Sequence, residues 1–105
     1  MAADNSKVRT VAVYDEQTKR LKVSLVAGDM PSDRSLELWL IAGNEAPVSL
    51  GLMKSPQVTE FNVPQGLAAK LRDGTTLAIS VEPLGGSPSG APTGAVVAAG
   101  TIRAI

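Results

Sequence analysis

The chain reads as a single all-β domain: an antiparallel β-sandwich of immunoglobulin-like architecture with seven to eight strands and at most one short helical turn. Three observations predict this. Apolar residues alternate with period two in several separate runs. Gly, Pro, Asn and Asp punctuate those runs. The runs recur about every 8–12 residues, the spacing of a sandwich. The 105 residues suit one domain spanning 1–105, with residues 1–6 read as a disordered or non-native tail. A chain of this size buries roughly 65 per cent of its unfolded surface and folds without staples. Tyr14, Trp39 and Phe61 are its three aromatics, so the core must be chiefly aliphatic.

The strands follow in order. Val8 to Tyr14 is strand-like, and Asp15-Glu16-Gln17-Thr18 suits a hairpin loop. Leu21, Val23 and Leu25 then alternate with Lys22 and Ser24. In the next run Leu36, Leu38 and Leu40 share one face, and Glu37, Trp39 and Ile41 the other. Gly43-Asn44-Glu45-Ala46-Pro47 forms a turn, because Gly and Asn tolerate positive φ and Pro ends a ladder. Val48, Leu50 and Leu52 alternate with Ser49, Gly51 and Met53. Val58 to Val63 is strand-like. A helical turn is expected at Gln65 to Leu71, and Asp73-Gly74 signals a turn. Leu77, Ile79 and Val81 oppose Ala78, Ser80 and Glu82, and Ala95 to Ile102 closes the domain. The expected interior is Leu21, Val23, Leu38, Leu40, Leu50, Leu52, Leu77, Ile79 and Val81. Trp39 is expected between the two sheets; the competing reading is an exposed tryptophan in a binding patch.

Composition narrows the chemistry. Ten basic residues balance ten acidic ones, so the cationic surplus that nucleic acid or an anionic membrane draws on is missing. With no His and no Cys, Ser-His and Cys-His nucleophiles and most zinc sites are excluded. A Ser-Lys pair, for instance Ser49 with Lys54, would need a lysine kept neutral by burial. Asp29 with Asp33, and Asp15 with Glu16, lack the ligand spacing of a calcium loop and read as solvated turns. No catalytic residue, cofactor or metal is expected. Pro83 to Ile102 is broken by Gly and Pro and cannot serve as a transmembrane helix. The segment from Glu82 to Gly94 has the composition of a linker, yet one strand follows it. It is therefore expected to be an ordered crossover pinned at both ends.

Leu36-Glu37-Leu38-Trp39-Leu40-Ile41 followed by Pro47-Val48-Ser49-Leu50-Gly51 resembles the C-terminal domain of anti-sigma-K factors. So does the pattern from Leu77 through Glu82-Pro83, Gly85-Gly86-Ser87-Pro88 and Pro92-Thr93-Gly94 to Val97-Ala98-Ala99-Gly100. Val13-Tyr14-Asp15 and Leu21-Lys22-Val23 are similar to the family's first hairpin. The resemblance implies part of a bacterial single-pass membrane regulator whose cytoplasmic segment inhibits an extracytoplasmic-function sigma factor. This domain would lie on the periplasmic face, and sigma factor release would follow successive proteolytic cleavages. The implied partners are proteins: a periplasmic protease or sensor here, and the sigma factor only through a region outside these residues. The family-motif residues Glu37, Trp39, Pro47, Ser49, Gly51, Glu82, Pro83, Gly85, Gly86, Pro88, Pro92 and Gly94 read as structural. Gly85, Ser87, Pro88 and Pro92 form a candidate partner-contact loop. The alternative is an immunoglobulin-like adhesion or carbohydrate-binding module of an exported protein.

Overall fold

The computed structural model describes residues 9–15, 17–27, 32–54, 57–63, 66 and 75–101. Among these residues seven strands form in chain order: β1 (Arg9–Asp15), β2 (Arg20–Ala27), β3 (Arg34–Ile41), β4 (Val48–Leu52), β5 (Thr59–Asn62), β6 (Thr76–Pro83) and β7 (Val96–Thr101). They make two antiparallel sheets, one of order β1-β2-β5 and one of order β4-β3-β6-β7. The predicted all-β class and strand count are found. In the seven-stranded immunoglobulin plan the fourth strand joins the first sheet; here β4 pairs with β3 instead. The helical turn expected at residues 65–71 and the Asp73-Gly74 turn lie outside the described residues, apart from Gly66. Among the described residues, no helix is long and apolar enough to cross a membrane.

One apolar cluster joins the sheets. Leu21, Val23 and Phe61 from the first meet Leu36, Leu38, Leu40, Leu77 and Ile79 from the second. The period-two alternation explains this, since every second residue of each strand points to the same side. Leu50 and Val81 are half-buried against the cluster. The β1–β2 loop closes locally: the Asp15 carboxylate accepts the N–H groups of Gln17 (2.9 Å) and Thr18 (3.3 Å).

Strand β4 breaks the simple pattern. Gly51 pairs with Leu38 but Ser49 with Trp39, so Leu50 is an extra residue in a β-bulge. The bulge reverses the alternation beyond it. Leu52, expected inside, sits opposite Glu37 on the outer face of the sheet. Met53, expected on the opposite side from the core, is buried within it. Gly51 has φ +128°, and a Cβ there would stand 3.4 Å from the Phe61 ring. The bulge thus depends on glycine for its backbone.

Trp39 is fully buried but not between the sheets, which corrects the expected position. Leu38 and Leu40 point into the core, so Trp39 must point out of the sandwich. It donates to Ser80 on that outer face. Gly51→Ala should lower stability by about 1–3 kcal/mol, the cost of forcing a side chain into this backbone region. A lowered urea midpoint with an unchanged far-UV circular dichroism spectrum is the expected observation.

Candidate functional site

The outer face of the four-stranded sheet carries polar groups that the sandwich core does not need. On β3 this face presents Ser35, Glu37 and Trp39. On β6 it presents Glu82, Ser80 and Ala78, each opposite its β3 counterpart in that order. Glu37, Trp39, Ser80 and Glu82 are nevertheless buried. A carboxylate survives burial only if hydrogen-bond donors replace its water. The crossover between β6 and β7 supplies many of them.

Glu82 accepts more hydrogen bonds from the protein than Glu37 does. Trp39 Nε1–H donates to Ser80 Oγ (2.8 Å), and the Ser80 hydroxyl donates to Glu82 Oε2 (2.5 Å). The Thr93 N–H donates at 3.1 and 3.2 Å, its hydroxyl at 2.5 Å, and the Gly94 N–H at 3.2 Å. Burial pushes this carboxyl up, but the bonds from Ser80, Thr93 and Gly94 together outweigh it. They hold the group below its ordinary value of 4.5. Glu37 accepts the Ser49 hydroxyl (2.5 Å) and the Ser87 N–H (2.8 Å).

These contacts pin the crossover at both ends. Near β6, Gly86 N–H closes a turn on Pro83 C=O (2.9 Å), and Gly85 N–H donates to Ser35 Oγ (3.1 Å). Gly85 takes φ +93° at the third turn position, where a type II turn demands it. Near β7, the chain passes so close to β6 that a Cβ on Gly94 would lie 1.7 Å from the Val81 carbonyl oxygen. Between these anchors the Ser87 hydroxyl donates to Ala91 C=O (2.5 Å) and the Ser89 hydroxyl donates to the same oxygen (3.2 Å). Pro88, Ser89, Gly90 and Ala91 are exposed at the tip.

The singled-out residues therefore fall into distinct places. Glu37, Ser49 and Ser87 meet at one carboxylate. Trp39 reaches Glu82 through Ser80, and Gly94 binds Glu82 directly. Pro83, Gly85, Gly86, Pro88 and Pro92 shape the crossover. Gly51 serves the β4 bulge, and Pro47 is half-buried in the β3–β4 loop, away from both carboxylate pairings. Sequence reasoning passed over Ser80 and Thr93, although Ser80 interrupts an apolar strand on the same face as Glu82. The Ser49 hydroxyl is given to Glu37, while Lys54 is exposed, so that pair lacks the burial a neutral lysine needs. Asp33 is exposed and Asp15 caps its own loop; Asp29 and Glu16 lie outside the described residues. Among the described residues, no cluster of three carboxylates is suited to a metal ion.

The family model described as anti-sigma-K factor rskA, C-terminal, matches residues 1–96. The chain belongs to this family. No curated protein and no solved structure shows significant similarity to it. Membership of the anti-sigma-K factor family gives the chain a regulatory role, with protein partners such as a sigma factor. The carboxylates and the crossover lie within the matched span, up to Val96.

Three outcomes follow from this geometry. Because Glu82 has a lowered folded-state value, its contribution is present above the ordinary value of 4.5 and is lost as pH falls through the lower one. Urea midpoints of the wild type should therefore fall below about pH 4.5, and Glu82→Gln should flatten that limb. Trp39→Ala should cost about 3–5 kcal/mol, because a large buried side chain is lost. Gly94→Ala should undock the crossover. Limited proteolysis should then cut quickly between residues 85 and 94, where the wild type resists.

Proposed function

We propose that this anti-sigma-K family domain is the extracytoplasmic regulatory part of a single-pass membrane anti-sigma factor. In this reading it helps to control sigma factor release by regulated proteolysis. It performs no catalysis and uses no cofactor or metal. Its direct partner is a periplasmic protease or sensor protein, and the sigma factor binds another region of the full-length protein.

The observation that carries this reading is the latched crossover. An exposed tip, from Pro88 to Ala91, is tied through Ser87, Thr93 and Gly94 to two carboxylates buried in the sheet. A partner that favours a released tip must compete with those bonds, so its binding shifts a two-state population. The unlatched state would be the one that admits cleavage.

The test uses the full-length gene in cells carrying a reporter driven by the cognate sigma factor. Glu82→Gln, Gly94→Ala and deletion of the domain should each raise reporter output severalfold and increase truncated fragments. Unchanged output and fragment pattern in all three would refute the proposal. Location is checked separately with Ser89→Cys, which introduces a cysteine at an exposed position of a cysteine-free domain. A membrane-impermeant maleimide should label it in intact cells.

A further inference from the structure

Strand β7 stands at one edge of the four-stranded sheet and, among the described strands, pairs with β6 alone. It brings little to the core. Of its described side chains Ala98 is the one fully buried, Val97 packs half-buried against the core cluster, and Val96 is 45% exposed. Strand β4, at the opposite edge, is better anchored, by Leu50 and by Met53 buried just beyond its end. The β6–β7 ladder is also interrupted, since Val97 is an extra residue in a bulge opposite Ile79 and Ser80. An edge strand with few buried apolar contacts opens more readily than the strands around it.

What holds β7 in place sits at its entrance. Glu82 accepts the Thr93 N–H and hydroxyl and the Gly94 N–H. Val81 N–H donates to Ala95 C=O (2.9 Å), and Gly94 lies against the Val81 carbonyl. All of these contacts come before the bulge, where the crossover becomes β7. The crossover and β7 therefore share one anchor. Once the Glu82 bonds break, β7 keeps only the ladder beyond the bulge, from Ile79–Ala98 to Thr76–Thr101.

We infer that the crossover and β7 form one opening unit, locked by Glu82, which detaches from β6 while β1 to β6 stay folded. The sheet that remains, β4-β3-β6, still packs Leu36, Leu38, Leu40, Leu77 and Ile79 against the first sheet. Release of the crossover is thereby converted into release of a whole strand, which bares the edge of β6. The inference concerns the domain alone and holds whether or not a protease acts on it.

The backbone of β6 reports on its two neighbours separately. Met53 N–H donates to Leu36 C=O (2.8 Å), so Leu36 turns its backbone groups toward β4, and Glu37 and Trp39 turn theirs toward β6. Their partners Ser80 and Ala78 accordingly aim their N–H groups at β3. Val81 bonds toward β7, so Ile79 and Leu77 also aim theirs at β7, opposite Ala98 and Gly100.

Residue-resolved hydrogen exchange of the 105-residue chain, at a pH where rates report the opening equilibrium, tests the inference. In the wild type, the amides of Leu77, Ile79, Ala98 and Gly100 should exchange at least about tenfold faster than those of Ala78 and Ser80, as a sub-global opening requires. Glu82→Gln should speed all six by the same factor, because the lock is broken in the partly open and the unfolded states alike. Gly51→Ala lies in β4, which the partly open state keeps, so it should speed Ala78 and Ser80 alone. Thr93→Val removes one bond and leaves the carboxylate. It should act as a milder Glu82→Gln, and it covers the case in which Glu82→Gln does not fold. One shared rate for all six wild-type amides would overturn the inference, since β7 would then leave only with the whole domain. So would Ala98 and Gly100 amides indifferent to both lock substitutions, which would mean fraying from the Thr101 end with the lock closed.

Discussion

Burial of the Glu82 carboxylate is the constraint from which the outer half of the molecule follows. Removing a carboxylate from water costs several kcal/mol unless donors replace the solvent. Among the described residues no cation is bonded to Glu82; Ser80, Thr93 and Gly94 provide neutral donors instead. To present them, the crossover must fold back onto β6, which forces Gly94 against the Val81 carbonyl. Trp39 completes the same chain of bonds through Ser80. Glu37 repeats the device one row away with Ser49 and Ser87. The glycines, prolines and hydroxyls of the crossover thus serve two acids on the sheet, and the segment is an ordered part of the domain despite its linker-like composition.

This arrangement gives the two sheets different tasks. The inner face of each supplies ordinary aliphatic burial, dense around Leu38, Leu40, Leu77 and Ile79. The outer face of the four-stranded sheet is polar yet dry, because the crossover closes over it. The outer face of the three-stranded sheet stays open, with exposed valines and the solvent-exposed Arg20–Glu60 ion pair (2.9 Å), which contributes little to stability. A regulatory domain of the anti-sigma-K family needs surfaces that proteins can grip. At the tip of the crossover, Pro88 to Ala91 are exposed.

Much of the fold was legible because strand alternation is a local signal. The clear alternation at Leu21 to Leu25 and Leu77 to Glu82 marked strands and their buried faces together. It failed at β4, where one extra residue reverses the face of everything beyond it. Leu52 and Met53 exchanged places for that reason. Alternation counts residues, while a bulge depends on how β4 meets β3 and on the Phe61 ring behind Gly51.

The site divides the same way. Glu37, Trp39, Glu82 and Gly94 stand out as family-motif residues, and the sequence alone determined that they belong to a strand-rich domain with no histidine or cysteine chemistry. Tertiary structure decided what they do. Glu37 and Ser87 are fifty positions apart, and Trp39 and Ser80 forty-one. Their partnership comes from the pairing of β3 with β6 and the return path of the crossover. A hydrogen bond depends on distance in space, and no local pattern records which distant donor will satisfy a buried acid.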